Sequence, residues 1–182
     1  MPIEDVNNAL RRYRVLKAMV QRERNYTKGY TNLRRLYELG ILERGMVGSP
    51  QTVAQDTLDG LDKAVDMLGF LDIVSSFEVA ALQEIRTLRA ETVGRLRELV
   101  RNAELAPAAA GLLQNTNDPS WSLRSTIDVL RLVADASDTE YLEAINLTRN
   151  QIAHGRAPEA TPVGHEQLRD LLSRLLEAQL KL

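Results

Sequence analysis

The chain contains no cysteine, only two histidines, and few aromatic residues: two Phe, one Trp and five Tyr among 182 positions. Without cysteine there is no disulfide, no thiol nucleophile and no thiolate ligand for zinc or an iron–sulfur cluster, which fits a reducing compartment. Two histidines with no H-E-x-x-H spacing leave little for a metal centre, so neither a metal nor a cofactor is expected. No stretch approaches eighteen apolar residues free of charge, so no membrane span is expected. The opening MPIEDVNNALRRYRVL offers no apolar core for a secretion signal, and a cytoplasmic protein is the expectation. Glycine-rich phosphate loops are missing too, since GMVGSP fits no nucleotide-binding pattern.

Leucine, arginine and acids at helical spacing fill the space that remains. Hydrophobic residues make up 44% of the chain and charged residues 26%, the balance of a globular domain. The apolar residues are mostly Leu, Ala, Val and Ile, with few of the alternating aromatic and threonine runs that strands use, so the fold class is all-α. The net charge of -2 conceals an asymmetry. Residues 1 to 50 carry ten Lys or Arg against five Asp or Glu, and residues 51 to 182 carry thirteen against twenty. Arg11, Arg12 and Arg14 in the basic part are candidate phosphate contacts; a solvated arginine-rich face is the competing explanation.

Ile3, Val6, Leu10, Tyr13, Leu16 or Lys17, and Val20 recur three and four apart, which predicts a helix over about residues 4 to 24. A short helix through Leu33, Leu36, Tyr37 and Leu39 is expected next, before a loop at Gly45, Gly48, Ser49 and Pro50. That loop is the expected boundary between a basic helical extension, residues 1 to 50, and a helical bundle, residues 51 to 182. Thr52 is placed to cap the long apolar pattern that follows, through Leu58, Leu61, Val65, Leu68, Leu71 and Val74 and on to Leu99. Either one bent helix or two helices folded back on each other accounts for its length. Helices are then expected over 122 to 136, from Ser137 or Asp138 to His154 with Gly155 as terminator, and from 163 to 180.

LTRNQIAHG, residues 147 to 155, is the unusual stretch. On a helix, Ile145, Arg149, Ile152 and Ala153 fall in one arc around Leu142, with Asn150 and His154 flanking it. Arg149 therefore lies on or beside an apolar stripe, and needs an acid such as Glu143 or Glu78, a second copy of the chain, or a ligand phosphate. Glu78 stands in an otherwise apolar stretch and serves equally well as a structural partner or as part of a site.

Arg149, Asn150 and His154, on the penultimate helix and closed by Gly155, resemble the R-N-x-x-x-H motif of the HEPN superfamily (higher eukaryotes and prokaryotes nucleotide-binding). SSFEVAALQEI resembles the earlier HEPN helix that packs on the motif helix and contributes polar or acidic residues, here Ser76 and Glu78. The resemblance covers about residues 51 to 182. It implies an antiparallel helical bundle and a metal-independent endoribonuclease in a toxin or defence setting, with a homodimer joining two motifs across a cleft. In that chemistry His154 moves protons at the RNA 2'-hydroxyl and the leaving oxygen, Arg149 holds the phosphate, and Asn150 orients either. An antitoxin or other protein partner is implied as well. HEPN toxins paired with a nucleotidyltransferase carry a tyrosine two residues after the histidine, where this chain has Arg156, so that modification is not expected. The alternative is a non-catalytic HEPN-like dimerisation or interaction module.

Elsewhere, His165 beside Glu166 offers a weak metal pairing with His154. The acids Asp56, Asp59, Asp62 and Asp66 read as the wet face of a helix. Trp121 reads as a core anchor.

Overall fold

The computed structural model describes residues 2–27, 37–38, 40, 50–99, 123–130, 135–156, 158 and 161–179. Five helices run through them: α1 Pro2–Thr27, α2 Pro50–Leu99, α3 Leu123–Leu130, α4 Ala136–Ala153 and α5 His165–Gln179. No strand occurs among the described residues, and the chain is all-α as its composition requires. No helix among them is long and apolar enough to cross a membrane. Leu33, Leu36, Gly45, Gly48 and Trp121 lie outside the described residues.

The long central pattern is one continuous helix of 50 residues, about 75 Å at 1.5 Å per residue. Pro50 opens it, a position where the missing N–H costs nothing, and Thr52 sits inside its first turn rather than before it. The acids of α2 and the cations of α1 pair in reverse order: Arg12 with Asp72, Lys17 with Asp66 and Asp62, Arg24 with Asp59. The two helices are therefore antiparallel. Arg14 meets Glu166 and Arg169 meets Asn7, which sets α5 antiparallel to α1 as well. At the other end of α5, Arg174 pairs with Asp138 at the start of α4.

Val6, Ala9 and Leu10 of α1 share one core with Phe70, Ile73, Val74 and Phe77 of α2, Ile127 of α3, Leu142 and Ile145 of α4, and Leu168, Leu172 and Leu176 of α5. At roughly 1.5–3 kcal/mol for each large side chain removed from water, this cluster outweighs any polar contact in the molecule. Two expectations are corrected here. Leu61, Leu68 and Val79 face outward at 44%, 59% and 63% exposure. The segment carries two apolar stripes, and the one holding both phenylalanines is buried, because it removes more area from water. The acid ladder is a wet face only in part: Asp56 is exposed, while Asp59, Asp62 and Asp66, still 49%, 23% and 38% exposed, receive Arg24 and Lys17. At the ambiguous place in α1, Lys17 turns toward α2 and Leu16 stays 44% exposed.

Candidate functional site

The chemistry of α4 depends on how the helix ends. It starts at Ala136 after Asp135, whose side chain makes no capping hydrogen bond, and it buries Thr139, Leu142, Ile145 and Thr148. At the C-terminus the N–H of Gly155 donates to the carbonyl of Ile152 (2.9 Å) and the N–H of Arg156 to that of Gln151 (2.9 Å). This pair of bonds is the Schellman closure, and it needs a residue with positive φ, which Gly155 supplies at 72°. His154 is thereby fixed as the last residue before the reversal.

Arg149 is half-buried, its side chain 35% exposed. Its Nη1 donates to Asn150 Oδ1 at 3.1 Å and its Nη2 to Glu78 Oε2 at 3.3 Å. The other Glu78 oxygen accepts the backbone N–H of Leu123 at 3.2 Å. Leu123 is the first residue of α3, where a carboxylate is favoured by the exposed N–H groups and the helix dipole. One acid thus ties α2 to both α3 and α4. A partly exposed pair of this kind contributes about 0.2–1 kcal/mol, so its importance is positional.

His154 is exposed, and its ring takes no hydrogen-bond or ion-pair partner among the described residues. It lies five residues beyond Arg149, about 140° around the axis and about 7.5 Å along it, so the two side chains leave the helix in different directions. Leu147, 63% exposed, shares the outer strip with His154. Ser76 is half-buried on α2, about 200° around the helix from Glu78, and makes no hydrogen bond to the other three. The structure therefore brings Arg149, Asn150 and Glu78 together, leaves His154 at the rim, and keeps Ser76 apart.

The α1 arginines have partners within the chain. Arg12 makes a two-pronged pair with Asp72 (2.8 and 2.9 Å), and Arg14 another with Glu166 (2.8 and 2.6 Å). Hydrogen bonding to Asp72 raises the Arg12 pKa above its ordinary value. Among the described residues Arg11 reaches only Asn8.

The second histidine belongs to a cluster that the sequence reading does not contain. The His165 ring stacks on Tyr13, centroids 3.8 Å apart and planes 7° from parallel, and its Nε2 lies 2.9 Å from the backbone oxygen of Asp66. That oxygen only accepts, so Nε2 carries the proton. The Tyr13 hydroxyl donates to Asp66 Oδ1 at 3.0 Å, and Lys17 reaches the same carboxylate at 2.7 Å. Burial and the bond to Asp66 raise the Tyr13 pKa; for Lys17, burial acts to lower it but the bonds to Asp62 and Asp66 outweigh this and raise it. An open groove of about 570 Å³ lies beside this cluster, bordered also by Lys63, Met67, Pro158 and Thr161. No group of three metal-ligating side chains occurs among the described residues, and His165 is committed here rather than to His154.

Comparison with protein-family models, curated proteins and solved structures finds no match to this chain.

Proposed function

We propose that the chain is a HEPN-like endoribonuclease of the toxin or defence kind, metal-independent, working as a homodimer through Arg149 and His154. The observation that carries the proposal is the contrast within one helix end. Arg149 is held in place from two sides by Asn150 and Glu78, while the His154 imidazole is exposed and has no partner among the described residues. A held cation and a free proton carrier suit phosphate chemistry, in which one group fixes the anion and another moves protons.

A single copy does not bring the two side chains to one point, because they diverge by about 140°. Two copies of α4 crossing antiparallel about a two-fold axis near Gln151 and Ile152 do: Arg149 of one copy then lies level with His154 of the other. In that arrangement one imidazole takes the proton of the RNA 2'-hydroxyl as its oxygen bonds to phosphorus. The second, protonated, gives its proton to the departing 5'-oxygen. The products are a 2',3'-cyclic phosphate and a free 5'-hydroxyl, and the arginine forks balance the negative charge that builds on the phosphoryl oxygens in between.

The test is incubation of labelled mixed-sequence RNA with the protein and EDTA, beside Arg149→Ala and His154→Ala. Cleavage to cyclic phosphate ends, lost in both variants, is the expected result; cleavage that survives either substitution refutes the assignment.

Leu147 favours a second reading. At 63% exposure on the strip that carries His154, it suits a non-catalytic seam between two copies. Under that reading His154→Ala weakens self-association, measured by sedimentation, and no RNA is cleaved by the parent protein.

A further inference from the structure

Among the described residues five arginines hold carboxylates across helices: Arg24 and Arg174 at 2.6 and 3.1 Å, and Arg12, Arg14 and Arg149 in two contrasting ways. Arg12 and Arg14 each grip both oxygens of one acid at 2.6 to 2.9 Å. Those are the lengths and the forked geometry of strong charge-assisted pairs. Arg149 holds Glu78 through a single contact at 3.3 Å, longer than that range. The cause is visible in the carboxylate, since its other oxygen is taken by the N–H of Leu123. Glu78 is divided between two donors on two helices and satisfies neither guanidinium edge fully. Arg149 is also more than a third exposed on its open side, so an incoming anion has access to it.

From this contrast we infer that Glu78 is an exchangeable internal anion, occupying Arg149 until an external oxyanion takes its place. The inference rests on the proposed function for the identity of that oxyanion, a phosphate of RNA, but its geometry concerns Arg149 alone. When the guanidinium turns to the phosphate, Glu78 keeps its bond to Leu123, so the carboxylate is not left without a donor and α3 keeps its N-terminal anion. Release therefore costs one long ion pair and no cap. The arrangement lowers the affinity of the resting protein for phosphate and makes Arg149 available only to an anion that binds it better than a shared carboxylate does.

Phenylglyoxal labelling of Arg149, followed by peptide mass mapping, reads its occupancy without any RNA. In Glu78→Gln the amide oxygen still accepts from Leu123 while the charge facing Arg149 is gone. Labelling is then expected to run about two- to fivefold faster, the range set by a partly exposed pair. Inorganic phosphate is expected to protect Arg149 at lower concentration than in the parent protein. Glu140→Gln, the same charge change on the exposed outer side of α4, is expected to alter neither. Glu78→Asp, which keeps the charge but draws it back by one methylene, is expected to act as Glu78→Gln does, and serves if the glutamine variant loses its helical circular dichroism. Equal labelling rates in the parent and both Glu78 variants, or equal protection by phosphate, overturn the inference. Binding of a 2'-O-methyl RNA, which cannot be cleaved through its 2'-oxygen, separates the two claims. If the labelling behaves as expected but this RNA binds Arg149→Ala as tightly as the parent, the exchangeable anion stands and the RNA reading falls.

Discussion

Replacing Gly69 with alanine is expected to destabilise the protein, although the same change elsewhere on α2 stabilises it. Gly69 is buried where α1 crosses α2; a methyl group there would overlap Tyr13 Cδ2 outright and lie 2.9 Å from Cγ and 3.1 Å from Cβ. The ring has little room to yield, because its hydroxyl is bonded to Asp66 and its face is stacked on His165. Either the helices separate, at about 1–3 kcal/mol for an overpacked contact, or the ring moves and loses a hydrogen bond and a stack of similar combined value. These are alternatives and are not added. Alanine returns about 1 kcal/mol in helix propensity, leaving a net loss of up to roughly 2 kcal/mol. For a chain of this size that is a fall in Tm of up to roughly 4–8 °C.

Gly60 is the internal control, since nothing lies within 4 Å of a methyl group there, and Gly60→Ala is expected to gain about 0.5–1 kcal/mol. Urea unfolding followed by circular dichroism ranks the two variants. If Gly69→Ala equals or exceeds Gly60→Ala in stability, the close approach of Tyr13 is wrong. A double substitution tightens the test: in a Tyr13→Ala background most of the Gly69→Ala penalty disappears, because the ring that opposes the methyl group is gone.

Gly155→Ala places a side chain at φ 72° and costs about 1–2 kcal/mol, with faster hydrogen exchange at residues 155 and 156, whose N–H groups close α4. Tyr13 and Lys17 both have raised pKa values, so the folded state holds their protons more tightly than the unfolded chain; the stability they contribute is full at neutral pH and fades as pH rises above about 10. Urea midpoints across that range should fall, and Tyr13→Phe with Lys17→Met should flatten the fall. Arg12→Ala and Arg14→Ala each cost under about 1 kcal/mol, and with their forks already taken by Asp72 and Glu166 they leave RNA affinity and its salt dependence nearly unchanged; a loss of about one phosphate contact in the salt slope for either refutes this.

The parts of the fold legible in the sequence were those set by local rules. Gly155 had to terminate α4 because a helix end needs a residue tolerant of positive φ, and the leucines of α5 had to be buried because they recur on one face. Glu78 was among the few acids able to meet Arg149, since it stands alone in an apolar stretch. What local rules did not decide was the choice between equivalent faces. Leu16 and Lys17 both continued the α1 stripe, and the choice of Lys17 depended on acids nearly fifty residues away. Leu61, Leu68 and Val79 formed as good a stripe as Phe70, Ile73 and Phe77 until α1, α4 and α5 covered the latter. The stack of Tyr13 on His165 joins residues 152 positions apart, and no spacing announces it.

Under the proposed function, the same pairings bear on where attraction for RNA originates. Counted along the chain, the basic residues concentrate before Pro50, which points to α1 as the surface that meets phosphate. In the folded protein Arg12, Arg14, Lys17 and Arg24, four of the six cations of α1, each face a carboxylate within 2.9 Å. At the end of α4 the balance differs. Arg149 shares its acid with a backbone N–H, and among the described residues His154 has no partner and Arg156, exposed two residues further on, has no ion pair. Those three side chains fall within eight residues, placed there by a helix end that must reverse at Gly155. Under the proposed function a phosphate is drawn to the end of α4 as well as to Arg11 and Arg22, the α1 arginines that meet no carboxylate among the described residues, and the charge count along the sequence does not show which charges are already paired.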